Sequence, residues 1–199
     1  MISPEGSEMT GVMLGAVAVV IGLPLLTAVA IRLGRLRQEI RRAALTASGG
    51  AVLAAIMAAL AWYGGDGTPV TLGPQLGGGR LLQIDGLSML LLPFVSVLQL
   101  ATLAVTPRRE LTAKAVARLL LGGALTGMFF VTGHPLAILV LWCVTAWPAW
   151  AATRETPGGR PAARVYAGAM LVSAGCLAMG VTLMLVDPPW ATGSGVTGD

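Results

Sequence analysis

The sequence has little charge. Only 11% of its 199 residues are Asp, Glu, Lys or Arg, whereas soluble domains carry about 25%. Hydrophobic residues make up 55% of the chain, and its mean hydropathy is +0.80. Such a chain has too few charged side chains to cover a folded surface in water. The composition therefore excludes a soluble domain and indicates an integral membrane protein.

Cysteine is also scarce, which limits the chemistry that the chain can perform. Cys143 and Cys176 lie in apolar runs and form neither a CxxC motif nor a pair in loops. We expect both thiols to be buried and to pack as small hydrophobic groups. The sequence has no metal-ligand cluster, phosphate-binding loop or haem motif. We therefore expect no cofactor, no bound metal and no catalytic residue.

Signals for nucleic acid and for secretion are missing as well. The formal charge of +4 is not gathered into a basic patch with interleaved aromatics, so we expect no nucleic-acid partner. The N-terminus reads MISPEGSEM and lacks the basic segment of a signal peptide. We therefore expect the first apolar run to be retained as a helix.

Charge-free apolar windows predict six membrane-spanning helices. The window 119–153 is too long for one helix, because it would extend roughly 52 Å across a hydrocarbon core of about 30 Å. We place its turn at residues 133–135, where Gly and Pro break helices. The prediction is an all-α integral membrane protein forming a single membrane domain, residues 1–199. Its helices are predicted at 10–31, 43–63, 86–107, 115–132, 136–152 and 165–186.

The segment between predicted helices 2 and 3 differs from the rest of the chain. Residues 64–86 read GGDGTPVTLGPQLGGGRLLQIDG, rich in Gly and Pro with alternating aliphatic residues. This pattern is typical of strands and turns. We predict an extended or hairpin loop outside the membrane.

Lys and Arg are unevenly distributed among the predicted loops. Five lie in residues 32–42, four in 108–118 and three in 154–164, and only Arg80 lies elsewhere. These three segments follow predicted helices 1, 3 and 5. Because cytoplasmic loops are enriched in Lys and Arg, we predict that both termini face the outside of the inner, cytoplasmic cell membrane.

Acidic residues are missing from the predicted membrane interior. All nine Asp and Glu residues fall in loops, tails or helix ends. Ion translocation needs groups that bind and release charge inside the bilayer, and such groups are costly to bury there. On these residues alone, the chain lacks a proton path.

Three motifs occur in order along the second half of the chain. DGLS at residues 85–88 starts helix 3, Trp142-Cys143 precedes Pro148 in helix 5, and AARVY at residues 162–166 opens helix 6. Together they resemble the antiporter-like subunits of respiratory complex I. The same superfamily includes Mrp-type sodium/proton antiporter subunits, membrane-bound hydrogenases and the membrane partner of DAB-type inorganic-carbon uptake complexes. The resemblance covers residues 81–186, while helices 1 and 2 match in position only.

The chain departs from this family at one decisive position. The resemblance implies a membrane-embedded glutamate where Cys143 stands, coupled to a lysine on a seventh helix. A thiol in apolar surroundings stays neutral and would carry no proton. Cys143 is therefore either a vestigial site residue or a packing residue. The chain ends after helix 6, so we expect it to represent only the six-helix N-terminal half.

Three further residues are candidates for an ion path or its remnant. Pro148 removes the hydrogen bond to the Val144 carbonyl, and the resulting kink is either inherited from an ion-path helix or an ordinary tolerated proline. Thr145 is expected to bond back to its own helix. His134 lies in a turn at the outer boundary. That position favours a solvated, structural histidine over a proton relay.

Two more positions have structural interpretations. Asp85 is expected to cap helix 3 rather than to bind a cation. Gly123 and Gly127 form a GxxxG pattern on helix 4 that is typical of a close helix contact.

The sequence thus predicts a truncated, non-pumping antiporter-like subunit of a larger membrane complex. That complex as a whole would be coupled to the movement of protons or sodium. Its expected role is assembly and helix packing against other integral membrane subunits and lipid. An alternative is one half of a split translocating subunit, whose partner chain supplies the missing helices and drives redox or inorganic-carbon uptake chemistry. A third is a membrane anchor unrelated to the family. Any enzymatic role would come from membership of a complex I-like oxidoreductase.

The orientation can be tested by cysteine labelling. A cysteine introduced at Ser194, in a chain whose native cysteines are replaced by alanine, should react with an impermeant thiol reagent in intact cells. The reason is that the loop charges place the C-terminus outside. A cysteine within residues 32–42 is the matched control and should react only after the inner face is opened. Labelling of Ser194→Cys only after that opening would reverse the orientation.

Overall fold

The computed structural model of the chain describes residues 4–36, 39–65, 67–76, 79–107 and 109–186. This part of the chain contains six long α-helices, with two short strands between the second and the third. In chain order the elements are α1 (Pro4–Arg32), α2 (Ile40–Gly64), β1 (Val70–Leu76), β2 (Gly79–Ile84), α3 (Gly86–Val105), α4 (Ala113–Phe130), α5 (Pro135–Glu155) and α6 (Arg160–Val186).

The six predicted helices are present, and each is long and apolar enough to cross a membrane. Their ends differ from the predicted windows by up to six residues. The largest differences are at the starts of α1 and α6, which begin at Pro4 and Arg160. Proline is well tolerated in the first turn of a helix, and polar residues can extend a helix beyond its apolar window. Insertion into a membrane and the orientation of the termini stay predictions.

The Gly- and Pro-rich segment between α2 and α3 contains the two strands. β1 and β2 pair in a two-stranded sheet, and so short a connection permits only antiparallel pairing. Gly73 in β1 has φ of 94°, a conformation that glycine reaches without steric cost. Leu82 of β2 also forms an antiparallel bridge with Thr132, just before α5. The location of this segment outside the membrane stays a prediction.

The chain divides into two compact units, which are described separately. Unit 1 comprises Met1–Val70 and Gln83–Val131 and so holds α1 to α4. Unit 2 comprises Thr71–Leu82 and Thr132–Asp199 and holds α5, α6 and most of both strands. The single membrane domain expected from the sequence stays a prediction.

Unit 1 has two apolar clusters. The strand-end cluster consists of Met13, Val17, Val20, Ala55, Ala58, Ile84, Met89, Leu92 and Val131. The basic-end cluster consists of Ala28, Ile31, Ala44, Leu103, Val116, Ala117 and Leu120. Leu36 and Leu111 pack against the basic-end cluster, so the basic segments after α1 and α3 lie at the same end of unit 1. The positive-inside rule requires this arrangement of two loops that are both predicted to be cytoplasmic.

The DGLS motif fixes the start of α3. Asp85 is the N-cap, and its Oδ1 accepts a hydrogen bond of 2.9 Å from the backbone N of Ser88, as expected. Ser88 Oγ lies 2.9 Å from the same carboxylate oxygen and 2.6 Å from the carbonyl oxygen of Phe130, at the end of α4. A Cβ at Gly86 would lie 3.0 Å from the Trp62 ring. The motif therefore joins α3 to α4 and lets α2 approach closely.

Unit 2 has a much thinner core. α5 packs against α6, and the connection between them contains Gly158 with φ of 74°. The buried residues of α5 are Pro148 and Ala151, and those of α6 are Ala163 and Val181. Most other apolar side chains of these two helices are exposed in the chain alone. Their apolar surface is therefore open to lipid or to another protein.

We predict that Ser88→Ala lowers the free energy of unfolding by about 1 to 3 kcal/mol, because it leaves the partly buried Phe130 carbonyl at the end of α4 without its side-chain donor. Ser173→Ala, on the less buried α6, is the matched control and should change stability by less than about 0.5 kcal/mol. Reversible unfolding by SDS in mixed micelles, followed by circular dichroism, gives both values. Equal effects of the two substitutions would contradict the role of Ser88.

Candidate functional site

The four residues singled out from the sequence do not form one site. Cys143, Thr145 and Pro148 all lie on α5, and His134 is its N-cap. His134 and Cys143 are nine positions apart, about 13 Å along a helix. Cys143 and Thr145 point in directions about 200° apart around the helix axis. The helix thus spreads these side chains over its length and its circumference.

Both cysteines correct an expectation, because neither is buried within the chain. Cys143 and Cys176 are exposed free thiols. Cys143 lines an apolar groove between α5 and α6, together with Trp147 and Tyr166. An apolar run predicts burial away from water, but it does not distinguish the inside of a helix bundle from a surface that faces lipid.

Thr145 has the local role expected of it, and Pro148 lies inside the continuous helix α5. The Thr145 hydroxyl donates to the Trp142 carbonyl oxygen at 2.9 Å, so it bonds back to its own helix as predicted. Pro148 is buried, and α5 continues through it to Glu155. Because the hydroxyl is engaged locally and proline has no N–H, neither residue offers a free donor to an ion path. The kink at Pro148 stays a prediction.

His134 corrects a second expectation, because its side chain is only 6% exposed. It was expected to be solvated at a turn. The turn is instead covered by β2, since Gly133 N donates to the Leu81 carbonyl oxygen at 3.2 Å. The His134 carbonyl oxygen accepts the first hydrogen bond of α5, from Ile138 N at 3.0 Å. His134 is therefore packed at the turn, and its structural role stays a prediction.

A different group of polar residues lies inside unit 1. Ser48, Ser96 and Gln99 are buried between the two apolar clusters, and we refer to them as the polar layer. Ser48 follows Ala44 of the basic-end cluster by one turn of α2. Gln99 precedes Leu103 of the same cluster by one turn of α3. α2 and α3 are connected by the segment that contains β1 and β2. The step from Ala44 to Ser48 on α2 and the step from Leu103 to Gln99 on α3 therefore both lead away from the basic-end cluster, toward the strand-end cluster.

The polar layer has unmet hydrogen-bonding capacity. Ser96 Oγ donates to the Leu92 carbonyl oxygen at 2.8 Å. Ser48 Oγ and Gln99 Nε2 are buried and find no hydrogen-bond partner among the described residues. Each unsatisfied buried group costs about 1 to 3 kcal/mol. A layer that carries such a cost is a better candidate for function than the residues of α5.

α4 approaches α3 closely at this layer. A Cβ at Gly123 would overlap the side-chain amide of Gln99, and a Cβ at Gly127 would lie 3.5 Å from Ile21 and 3.7 Å from Leu92. The GxxxG pattern of α4 therefore marks a close helix contact, as the sequence predicted. Gly122 on the same helix has open space beside it. The Gln99 amide fits in unit 1 because position 123 has no side chain.

The chemistry of the polar layer is limited to hydrogen bonding. Amides and hydroxyls bind polar molecules by donating and accepting hydrogen bonds, but they do not take up or release a proton near neutral pH. Within the described residues there is no group of three or more His, Cys, Asp or Glu that could hold a metal ion. The layer therefore offers hydrogen-bonding groups, and its amide and hydroxyls cannot by themselves exchange protons.

The polar layer contains no charged residue, and charge is the sequence signal that marks a candidate site inside a membrane span. Gln99 lies in the charge-free window of helix 3. An isolated amide among aliphatic residues was the one sequence feature that could have indicated this layer. The two serines give no signal of their own, since a serine in a membrane helix can bond to the preceding turn as Ser96 does.

Comparison with known proteins does not assign the chain to a family. No protein-family model matches the chain, and no curated protein sequence matches it.

The fit between Gly123 and Gln99 gives a testable prediction. Gly123→Ala should lower the free energy of unfolding by about 1 to 3 kcal/mol, because the new methyl group overpacks the contact. Gly122→Ala, the matched control, adds the same methyl group in open space and should be neutral or stabilising. SDS unfolding in mixed micelles measures both.

The partner of the contact can be checked in the same assay. Gln99→Ala should recover part of the loss caused by Gly123→Ala, since the two substitutions act on one contact and their effects should not add. Strictly additive effects, or equal effects at positions 122 and 123, would contradict the fit.

Proposed function

We propose that the chain is an antiporter-like membrane subunit that does not pump ions by itself. It serves assembly and helix packing within a larger ion-coupled membrane complex. This proposal combines the resemblance of the three motifs with one observation on the structure. The described charged residues lie at helix ends, in the connections between helices or in β2, and the buried polar residues of unit 1 are serines and a glutamine.

The placement of charge supports this proposal. α3 has no charged residue between Gly86 and Val105. Lys114 and Arg118 of α4 lie in its first two turns, within reach of an interface by extending their side chains. Arg160 and Arg164 are in the first two turns of α6. A carrier of protons or sodium needs a charged group inside the span, and these helices offer none.

The packing of α6 supports a role in assembly. Its glycines, Gly168, Gly175 and Gly180, have no heavy atom within 4 Å of a Cβ built on them. Among the described residues, no helix packs closely against these glycines. In the proposal, a helix of another subunit packs against this side of α6, where small residues permit close contact.

The split-transporter alternative is favoured by a different observation. Ser48 Oγ and Gln99 Nε2 are polar groups without partners inside unit 1. In this alternative they hold water in a path that ionisable residues of a partner chain complete. The two proposals differ in what the complex does, but both assign no ion transport to the chain alone.

We predict that the purified chain in liposomes shows no proton flux above empty liposomes after a pH jump, because no described Asp, Glu, Lys, Arg or His lies in the interior of a predicted span. An enclosed pH-sensitive dye reports the flux. A protonophore added at the end of each run provides the full-scale signal, and empty liposomes provide the baseline.

The same assay is then repeated with the proteins that copurify in mild detergent. Flux from the chain alone would overturn the proposal. Flux from the complex that is lost with Gln99→Leu and kept with Leu98→Gln, a change at an exposed position of the same helix, would establish the split transporter instead.

A further inference from the structure

An apolar groove runs between α5 and α6 within unit 2. It has a volume of about 310 Å³ and is lined by Cys143, Trp147 and Trp150 of α5 and by Tyr166, Met170 and Ala174 of α6. The α5 residues are spaced by four and three positions, so they lie on one stripe of the helix. From Cys143 to Trp150 the stripe extends about 10 Å. The groove therefore has the length and the lining for a hydrocarbon chain.

A basic cleft lies where α5 ends and α6 begins. It has a volume of about 600 Å³, and its lining includes Arg154, Arg160 and Arg164 with one acid, Glu155. All three arginines are exposed. The cleft thus carries an excess of positive charge at the end of the two helices.

The groove and the basic cleft are continuous. Arg154 follows Trp150 by one turn on the same stripe of α5, and its guanidinium lies over the Trp150 ring, 5.2 Å from the ring centroid. On α6, Arg160 and Arg164 are four positions apart. Together with Ala167 and Leu171, which line the groove, they form one stripe along α6. The arginines are at the end of this stripe nearest the start of the helix. On both helices, the arginines therefore stand above the apolar lining.

We propose that the α5–α6 pair binds an anionic phospholipid, with its phosphate on Arg154, Arg160 and Arg164 and one acyl chain in the groove. Arginine binds phosphate through paired N–H donors. Basic pockets between membrane helices on the cytoplasmic side are suited to anionic headgroups. An apolar helix in the groove would provide no anion for the three arginines, and a soluble anion would leave the groove empty. A phospholipid supplies a phosphate for the arginines and an acyl chain for the groove.

The loop-charge rule alone does not account for this arrangement. It requires basic residues in the cytoplasmic segment after α5, but it does not require them to align with an apolar groove on two helices or to stack on a tryptophan that lines it. The proposal needs α5 and α6 to lie in a bilayer. It does not depend on the antiporter-like role, and the liposome assay of proton flux does not test it.

The experiment counts the lipids retained by the full chain in detergent, using native mass spectrometry while phosphatidylglycerol or phosphatidylcholine is titrated. We expect phosphatidylglycerol to be retained at a concentration about tenfold lower than phosphatidylcholine, given the attraction of each basic residue for an anionic lipid. Arg160→Gln with Arg164→Gln should abolish this preference. Arg35→Gln with Arg109→Gln removes equal charge from exposed positions in other segments and should leave the preference intact.

A second pair of variants tests the acyl chain. Ala167→Trp fills the groove and should weaken retention of phosphatidylglycerol, whereas Ala169→Trp, at an exposed position that does not line the groove, should not. Inorganic phosphate should not displace the lipid. Equal retention of both lipids, equal effects of the two arginine pairs, displacement by inorganic phosphate, or no effect of Ala167→Trp would each overturn the proposal. Circular dichroism and size-exclusion chromatography check that every variant remains folded.

Discussion

The exclusion of charge from the helix interiors is the constraint on which the rest of the structure depends. A charged side chain at the centre of a bilayer costs at least about 2.5 kcal/mol. In this chain, the charged residues of α4 and α6 lie in the first two turns, and α3 has none. The apolar stretches make each of the six helices long enough to cross a membrane. Two of the basic segments then meet at one end of unit 1, beside the basic-end cluster.

The same exclusion decides how unit 1 is held together. Between helices in lipid, burial of apolar surface supplies little driving force, so close packing and hydrogen bonds must supply it. α2 buries alanines at Ala44, Ala51 and Ala55, which let its neighbours approach. Ser88 ties the start of α3 to the end of α4 through the Phe130 carbonyl. Gly123 leaves room for Gln99, so a polar side chain occupies the interior without a charge.

Unit 2 meets the same constraint in a different way. Its two helices bury few residues against each other, and their arginines are gathered where α5 ends and α6 begins. Apolar surface below and positive charge above form one continuous stripe through Trp150 and Arg154. Unit 1 thus buries its apolar residues within the chain, whereas unit 2 leaves much of its apolar surface exposed.

The sequence by itself determined the class of protein, the six helices and the cap at Asp85, because each depends on composition or on contacts within a few residues. The close contact at Gly123 was also predictable, since spacing on one helix decides it. Only the tertiary structure decided which apolar residues face inward. Cys143 was expected inside and lines a surface groove, while His134 was expected in solvent and is packed beside β2. The polar layer depends on the register between α2, α3 and α4, and helix periodicity carries no information on that register.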